Sequence, residues 1–204
     1  MKKLFVIASL MMLSVSAFAQ HAPGTLSIQP KVGLNIANIT DIDDADPRLG
    51  LVAGAELEYQ ITDMISLSAG ALYSMQGCKQ QSGGNIFGFN ISTKSTIKTD
   101  YLNIPIMANV YITDGLAVKL GLQPGFNLSA KYKAEGSVAG FEGNSEGDIE
   151  DVKSVDLALP IGLSYEINNF VIDGRYNFGL NKIFDGADNK HSVFQITLGY
   201  KFTM

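Results

Sequence analysis

The chain offers few side chains suited to catalysis or metal binding. Only two histidines occur, His21 and His191, and one cysteine, Cys78. Nucleophilic chemistry such as acyl transfer or peptide hydrolysis would have to be built around His191, with Asp185, Asp188 and Ser192 nearby in sequence; such proximity does not make a triad. Asp41, Asp43, Asp44 and Asp46 supply hard oxygen ligands of the kind that hold a divalent cation. An EF-hand loop would place Gly at its sixth position and an acid at its twelfth, where Asp46 and Val52 stand, so the segment reads as a solvated acidic loop. Cys78, alone, excludes an intramolecular disulfide and reads as a small, semi-apolar residue at a strand end. Gly83-Gly84 and the glycines from Gly136 to Gly147 lack the following Lys-Ser/Thr and the helix of a phosphate-cradling loop. The expectation is a non-enzymatic protein without cofactor or metal.

The remaining chemistry lies in nine charged residues set among apolar neighbours: Lys31, Glu56, Glu58, Lys119, Asp156, Glu166, Asp173, Arg175 and Lys201. What positions them is a two-residue alternation. Near the C-terminus, Phe194, Ile196, Leu198, Tyr200 and Phe202 share one parity, while Gln195, Thr197, Gly199 and Lys201 share the other. Successive side chains of a strand leave on opposite faces, so this is a strand between two different environments. Similar stretches cover Leu26–Ala37, Gly50–Gln60, Met64–Gln76, Thr96–Tyr111, Leu116–Ala130, Val155–Ile167, Phe170–Leu180 and Ser192–Thr203. Thr62-Asp63, Thr113-Asp114-Gly115 and Asn168-Asn169 are good hairpin-turn chemistry. The alternate connections, Asn38–Leu49, Gly77–Ser95, Lys131–Ser154 and Asn181–His191, are long and polar. Together they predict an all-β fold, an eight-stranded antiparallel up-and-down transmembrane β-barrel with short periplasmic turns and long outer loops.

Composition assigns the faces. The polar parity carries Gly33, Gly54, Gly121, Gly162 and Gly199 with Ser66, Ser68, Asn103 and Asn109, which suits the narrow lumen of a small barrel; a solvated outer face would carry Lys and Glu instead. The apolar parity is uninterrupted in Leu102, Ile104, Ile106, Ala108 and Val110. Tyr59, Tyr165, Phe170, Tyr200 and Phe202 fall near one end and Tyr73, Phe126, Phe178 and Phe194 near the other, as two aromatic girdles. The nine charges then belong to the lumen, where Lys31 with Glu56 and Asp173 with Lys201 are the expected pairs, and separate hydration of each charge is the alternative. A soluble lipocalin-like carrier would show the same period with the apolar face inside.

Residues 1–19 have the form of an export signal, with Lys2 and Lys3, an apolar core from Leu4 to Val15 and Ala17-Phe18-Ala19 before a cleavage point between Ala19 and Gln20. Residues 20–204 then form a single barrel domain. Loss of Lys2 and Lys3 moves the formal net charge from -5 to -7, with 13 basic against 20 acidic residues, which argues against a nucleic-acid partner. Gly199, Phe202 and Met204 have the spacing of the C-terminal signal read by the outer-membrane barrel assembly machinery.

Lys31-Val32-Gly33-Leu34-Asn35-Ile36-Ala37-Asn38, Tyr101-Leu102-Asn103-Ile104-Pro105-Ile106, Gly121-Leu122-Gln123-Pro124-Gly125 and Leu198-Gly199-Tyr200 resemble the PorT-like outer-membrane β-barrel proteins of Bacteroidetes-type Gram-negative bacteria, often called porin family proteins. The resemblance implies an outer-membrane location and carries over no catalytic residue. The expected function is a structural or surface-interaction role, with membrane lipid around the wall and extracellular or host ligands at the outer loops. A small-solute channel is the alternative, and a secreted lipocalin-like carrier the third reading.

Overall fold

A computed structural model describes residues 22–42, 45–86, 89–138, 141–149, 152–183 and 189–204. The chain runs β1 (Leu26–Ile39), β2 (Ala45–Gln60), β3 (Ile65–Ile86), β4 (Phe89–Asn103), β5 (Ile106–Tyr111), β6 (Leu116–Val138), β7 (Phe141–Asp148), β8 (Val155–Ile167), β9 (Phe170–Gly179), β10 (His191–Tyr200) and β11 (Phe202–Thr203). All pairings are antiparallel, and β10 returns to pair with β1, so the sheet closes on itself. The eleven strands occupy eight positions around the ring. β4 and β5 are one position interrupted at Ile104-Pro105, since proline has no N–H to give to the ladder; Gly70 N donates to Pro105 O at 3.0 Å and Ile104 N to Pro124 O at 2.8 Å, which holds the break in line. β7 and β8 both pair with β6, one above the other. β11 continues β10 past Lys201 along β1.

The short turns follow their residues. Asn168 and Asn169 both take positive φ, 48° and 77°, as a two-residue hairpin turn requires. Closure needs a close approach at Gly33, where an added Cβ would stand 2.0 Å from the Ile196 carbonyl oxygen of β10.

The faces are those the composition predicts: Lys31, Glu56, Asn109, Lys119, Asp173, Arg175 and Gln195 are buried inside, while Val32, Leu51, Ile106, Leu120, Leu163 and Leu198 are exposed outside. The girdle residues Tyr59, Phe170, Tyr200 and Phe202 at one end and Tyr73, Phe126, Phe178 and Phe194 at the other are also exposed. This polarity is the reverse of a lipocalin and corrects that reading.

Three of the expected loops are corrected. β3 runs on to Ile86 and pairs with β4 from Phe89, through Gly77–Ser95; β6 runs on to Val138 and pairs with β7 inside Lys131–Ser154. Toward the tips of these hairpins both faces of a strand meet water, so apolar alternation fades, while β-branched residues such as Thr93 and Thr96 still favour extended chain. The first loop is likewise shorter, because Ala45 and Asp46 already pair with Gln80 and Lys79.

Candidate functional site

The lumen is filled in layers. At mid-depth, Lys31 Nζ lies 2.8 Å from Glu56 Oε2, and Lys119 Nζ lies 2.8 Å from Asp173 Oδ2. Arg175 ties the two carboxylates together, with Nη2 2.8 Å from Glu56 Oε1 and Nε 2.9 Å from Asp173 Oδ1. Longer approaches, Lys31 to Asp173 at 3.8 Å and Lys119 to Glu56 at 3.6 Å, complete the cluster. Its members come from β1, β2, β6 and β9, around the ring. Each charge is shut away from water, so each depends on its partners to repay desolvation.

Toward the short turns lies a second layer. Lys201 Nζ is 2.7 Å from Glu166 Oε2, 3.3 Å from Glu58 Oε2 and 3.1 Å from the Tyr111 hydroxyl. Ser66 Oγ donates to Glu58 Oε1 at 2.7 Å, and the Tyr111 hydroxyl donates to the same oxygen. The expected pairing of Asp173 with Lys201 is not formed. Asp173 stands opposite Thr197 on β10. Lys201 lies four residues further toward the short turns, about 13 Å along a strand, where Glu58 and Glu166 are the acids within reach.

At the outer end, His191 Nδ1 is 3.1 Å from Asp156 Oδ2, and its Nε2 is 3.3 Å from Thr99 Oγ1. The ring meets Tyr101 edge-on, with centroids 5.2 Å apart. His191 therefore finds a carboxylate and a hydroxyl, but not those near it in sequence. Ser192 has the opposite parity and hydrogen-bonds the Tyr176 hydroxyl, and Asp185 and Asp188 lie outside the described residues. Thr99 is 0% exposed, so no substrate carbonyl reaches its oxygen and the trio packs as part of the filling. Above it Ile39, Cys78 and Ile183 form an apolar cap with Ile42, Ala45, Ile97 and Val152 around it. Burial pushes the Cys78 thiol up to about 11, so it stays protonated and poorly reactive at neutral pH.

Between these layers, Asn35 Nδ2 donates to Ser74 Oγ at 2.9 Å, and Asn109 Nδ2 donates to Ser66 Oγ at 2.9 Å. Tyr101, Tyr111, Leu72 and Met107 also point inward. All four have lumen parity, which was the signal available for them. Among the described residues no group of three or more His, Cys, Asp or Glu could hold a metal ion; Asp43 and Asp44 of the acidic cluster lie outside that set. Residues 1–19, the Ala19–Gln20 cleavage point and His21 are outside it as well. Of the C-terminal signal residues, Gly199 faces the lumen against Gln29, while Phe202 and Met204 are exposed.

Several solved structures are similar in fold. Ail, the attachment invasion locus protein of Yersinia pestis, in complex with the heparin analogue sucrose octasulfate, shows 17% identity over 88% of this chain and 99% of its own, with a TM-score of 0.45. Neisserial surface protein A shows 14% identity over 87% and 97%, with a TM-score of 0.40. OprG from Pseudomonas aeruginosa shows 15% identity over 91% and 99%, with a TM-score of 0.37. No curated protein matches the chain. Residues 18–185 match the family described as outer membrane protein beta-barrel domain. The chain belongs to this family of outer-membrane β-barrel proteins and resides in the outer membrane.

Proposed function

We propose that this barrel is a structural or surface-interaction protein rather than a channel or an enzyme, presenting its outer hairpins to extracellular or host molecules. The observation that carries the reading is the filled lumen. Lys31, Lys119, Arg175 and Lys201 face Glu56, Glu58, Asp173 and Glu166 in contact, below an apolar cap around Ile39, Cys78 and Ile183. A hydrated ion would have to separate these pairs and displace the cap, both costly in a low-dielectric interior. The surface left for recognition is the extended β3–β4 and β6–β7 sheet, which projects past the upper girdle. Within this proposal, residues 1–19 are removed after export, the assembly machinery reads Gly199, Phe202 and Met204, and the chain sits with PorT-like relatives. The refolded protein in planar bilayers tests the reading. We expect no reproducible single-channel openings; stable unitary steps would establish the small-solute channel instead.

A further inference from the structure

The upper lumen, between the mid-depth cluster and the apolar cap, holds buried oxygens that the barrel's own residues leave unpaired. Asn35 Oδ1 on β1, Gln195 Oε1 on β10, Asn177 Oδ1 on β9, Asp156 Oδ1 on β8 and Gln123 Oε1 on β6 have no hydrogen-bond partner among the described residues, and all five side chains are buried. These strands are consecutive around the ring, so each position along this arc of the wall contributes one oxygen. The Asn35 amide is oriented by its own donors: Nδ2 donates to Ser74 Oγ at 2.9 Å and to Met75 O at 3.0 Å, which leaves its oxygen free. Gln195 is unpaired at both Nε2 and Oε1, so either orientation of its amide offers an oxygen.

Their depth follows from the cluster below. Lys31, Lys119 and Asp173 meet there, with Lys31 Nζ 3.8 Å and Lys119 Nζ 2.8 Å from the same Asp173 oxygen. Asn35, Gln123 and Asn177 each lie four residues nearer the outer end than one of these three on the same strand, about 13 Å along it, and face the lumen as they do. β1 and β6 stand on opposite sides of the ring, and an eight-stranded lumen is just wide enough for its side chains, so the three amides meet near the axis. Gln195 is the direct partner of Asn35 across the seam, and Asp156 pairs with Gly125, two residues beyond Gln123.

Charge points the same way. The buried lumen carries four cations, Lys31, Lys119, Arg175 and Lys201, against five carboxylates, Glu56, Glu58, Asp156, Glu166 and Asp173. Lysine or arginine engages every one of these carboxylates except Asp156, whose contact is His191 Nδ1 at 3.1 Å. A neutral imidazole fits both contacts of His191, donating from Nδ1 to Asp156 and accepting at Nε2 from the Thr99 hydroxyl, and leaves the negative charge of Asp156 unmatched. Arg175, two residues below Asn177, is already held by Glu56 and Asp173.

We propose that this arc is a binding site for a small monovalent cation, sodium or potassium, whose hydration shell is replaced by the amide oxygens of Asn35, Gln123, Asn177 and Gln195 and the Asp156 carboxylate. One carboxylate among neutral amide oxygens suits a single positive charge. The ion ties both strands of the β1–β10 seam to the opposite wall, directly beneath the cap of Ile39, Cys78 and Ile183.

The full mature barrel is refolded with potassium or sodium chloride already present, because the cap closes the upper lumen once folding is complete. Choline chloride, whose cation is too large for the site, holds the ionic strength constant, and a pH of about 8.5 keeps an ordinary imidazole neutral. Urea unfolding, read by heat-modifiable gel migration, should show the folded-to-unfolded ratio rising about tenfold for each tenfold increase in the bound cation above its dissociation constant, and no such rise with choline. Asn177→Leu and Gln195→Met keep the side-chain size and remove one oxygen each, and both should flatten the dependence. Crystals grown in rubidium chloride should show an anomalous peak within the arc. A transition that is the same in potassium, sodium and choline would overturn the proposal. So would an undiminished dependence in the two variants, or ordered waters linking the oxygens to Arg175 Nη1 in place of the anomalous peak. Should neither variant refold, the wild-type titration and the rubidium peak decide. None of these outcomes depends on whether the outer hairpins bind a partner.

Discussion

Glu56 is the residue on which the mid-depth cluster turns, since it accepts from Lys31 at 2.8 Å and from Arg175 at 2.8 Å and lies 3.6 Å from Lys119. Glu56→Gln removes the negative charge facing three buried cations and leaves the shape almost unchanged. The cost expected for breaking a buried pair is about 3–5 kcal/mol. The detergent-refolded barrel should accordingly lose its heat-modifiable fold at a clearly lower temperature or urea concentration than wild type, and an unshifted transition would remove the cluster from any stabilising role. Glu135→Gln, on the exposed hairpin, serves as the control and should leave the transition in place. The pairing of Lys31 with Glu56 was legible from the sequence because strand parity and distance from the turns give depth to within a rung. Lys201 was misassigned because its depth depends on where β10 meets the Asn168-Asn169 turn, and two rungs of error exchange Asp173 for Glu58 and Glu166.

At the scale of elements, the ring depends on the seam between β1 and β10, which joins the two ends of the described chain. Gly33 lies on that seam with the Ile196 carbonyl oxygen where a Cβ would go. Gly33→Val should prevent the two strands from approaching, and most of the fast-migrating folded band on unheated gels should disappear while the heated band remains. A folded band at wild-type intensity would show that the seam accommodates a side chain by shifting register. The alternation revealed the membrane-crossing part of every strand, because there lipid and lumen impose opposite demands on neighbouring residues. It could not reveal the ends of β3, β4 and β6 beyond the apolar cap, nor β7, where both faces meet water and only extended-chain propensity is left. His191 illustrates the same limit. Ser192, next to it in sequence, points away from it, whereas Thr99 and Asp156 reach it across the ring from β4 and β8.

For the whole molecule, the upper girdle separates two regimes. Below it the sheet is closed, paired on every strand and surrounded by lipid; above it β3, β4, β6 and β7 stand as paired ribbons with exposed Lys79, Lys94 and Lys131. Brief trypsin treatment of intact cells should therefore cut within the β3–β4 and β6–β7 extensions and leave a protected membrane-bound core. Complete protection in intact cells, with cleavage only after the outer membrane is permeabilised, would reverse the proposed orientation.

The two ionic layers of the lumen have a further consequence when their charges are taken layer by layer. The mid-depth cluster holds three cations, Lys31, Lys119 and Arg175, against two carboxylates, Glu56 and Asp173; the layer nearer the short turns holds Lys201 against Glu58 and Glu166. One layer carries an excess positive charge and the other an excess negative charge, and these two layers cancel each other, with Asp156 beside His191 at the outer end. An anion entering from the turn side is turned back at the first layer, and a cation drawn into the first is turned back at the second. On the proposed reading of a non-conducting barrel, the bore would present two opposed electrostatic barriers in series to ions of either sign.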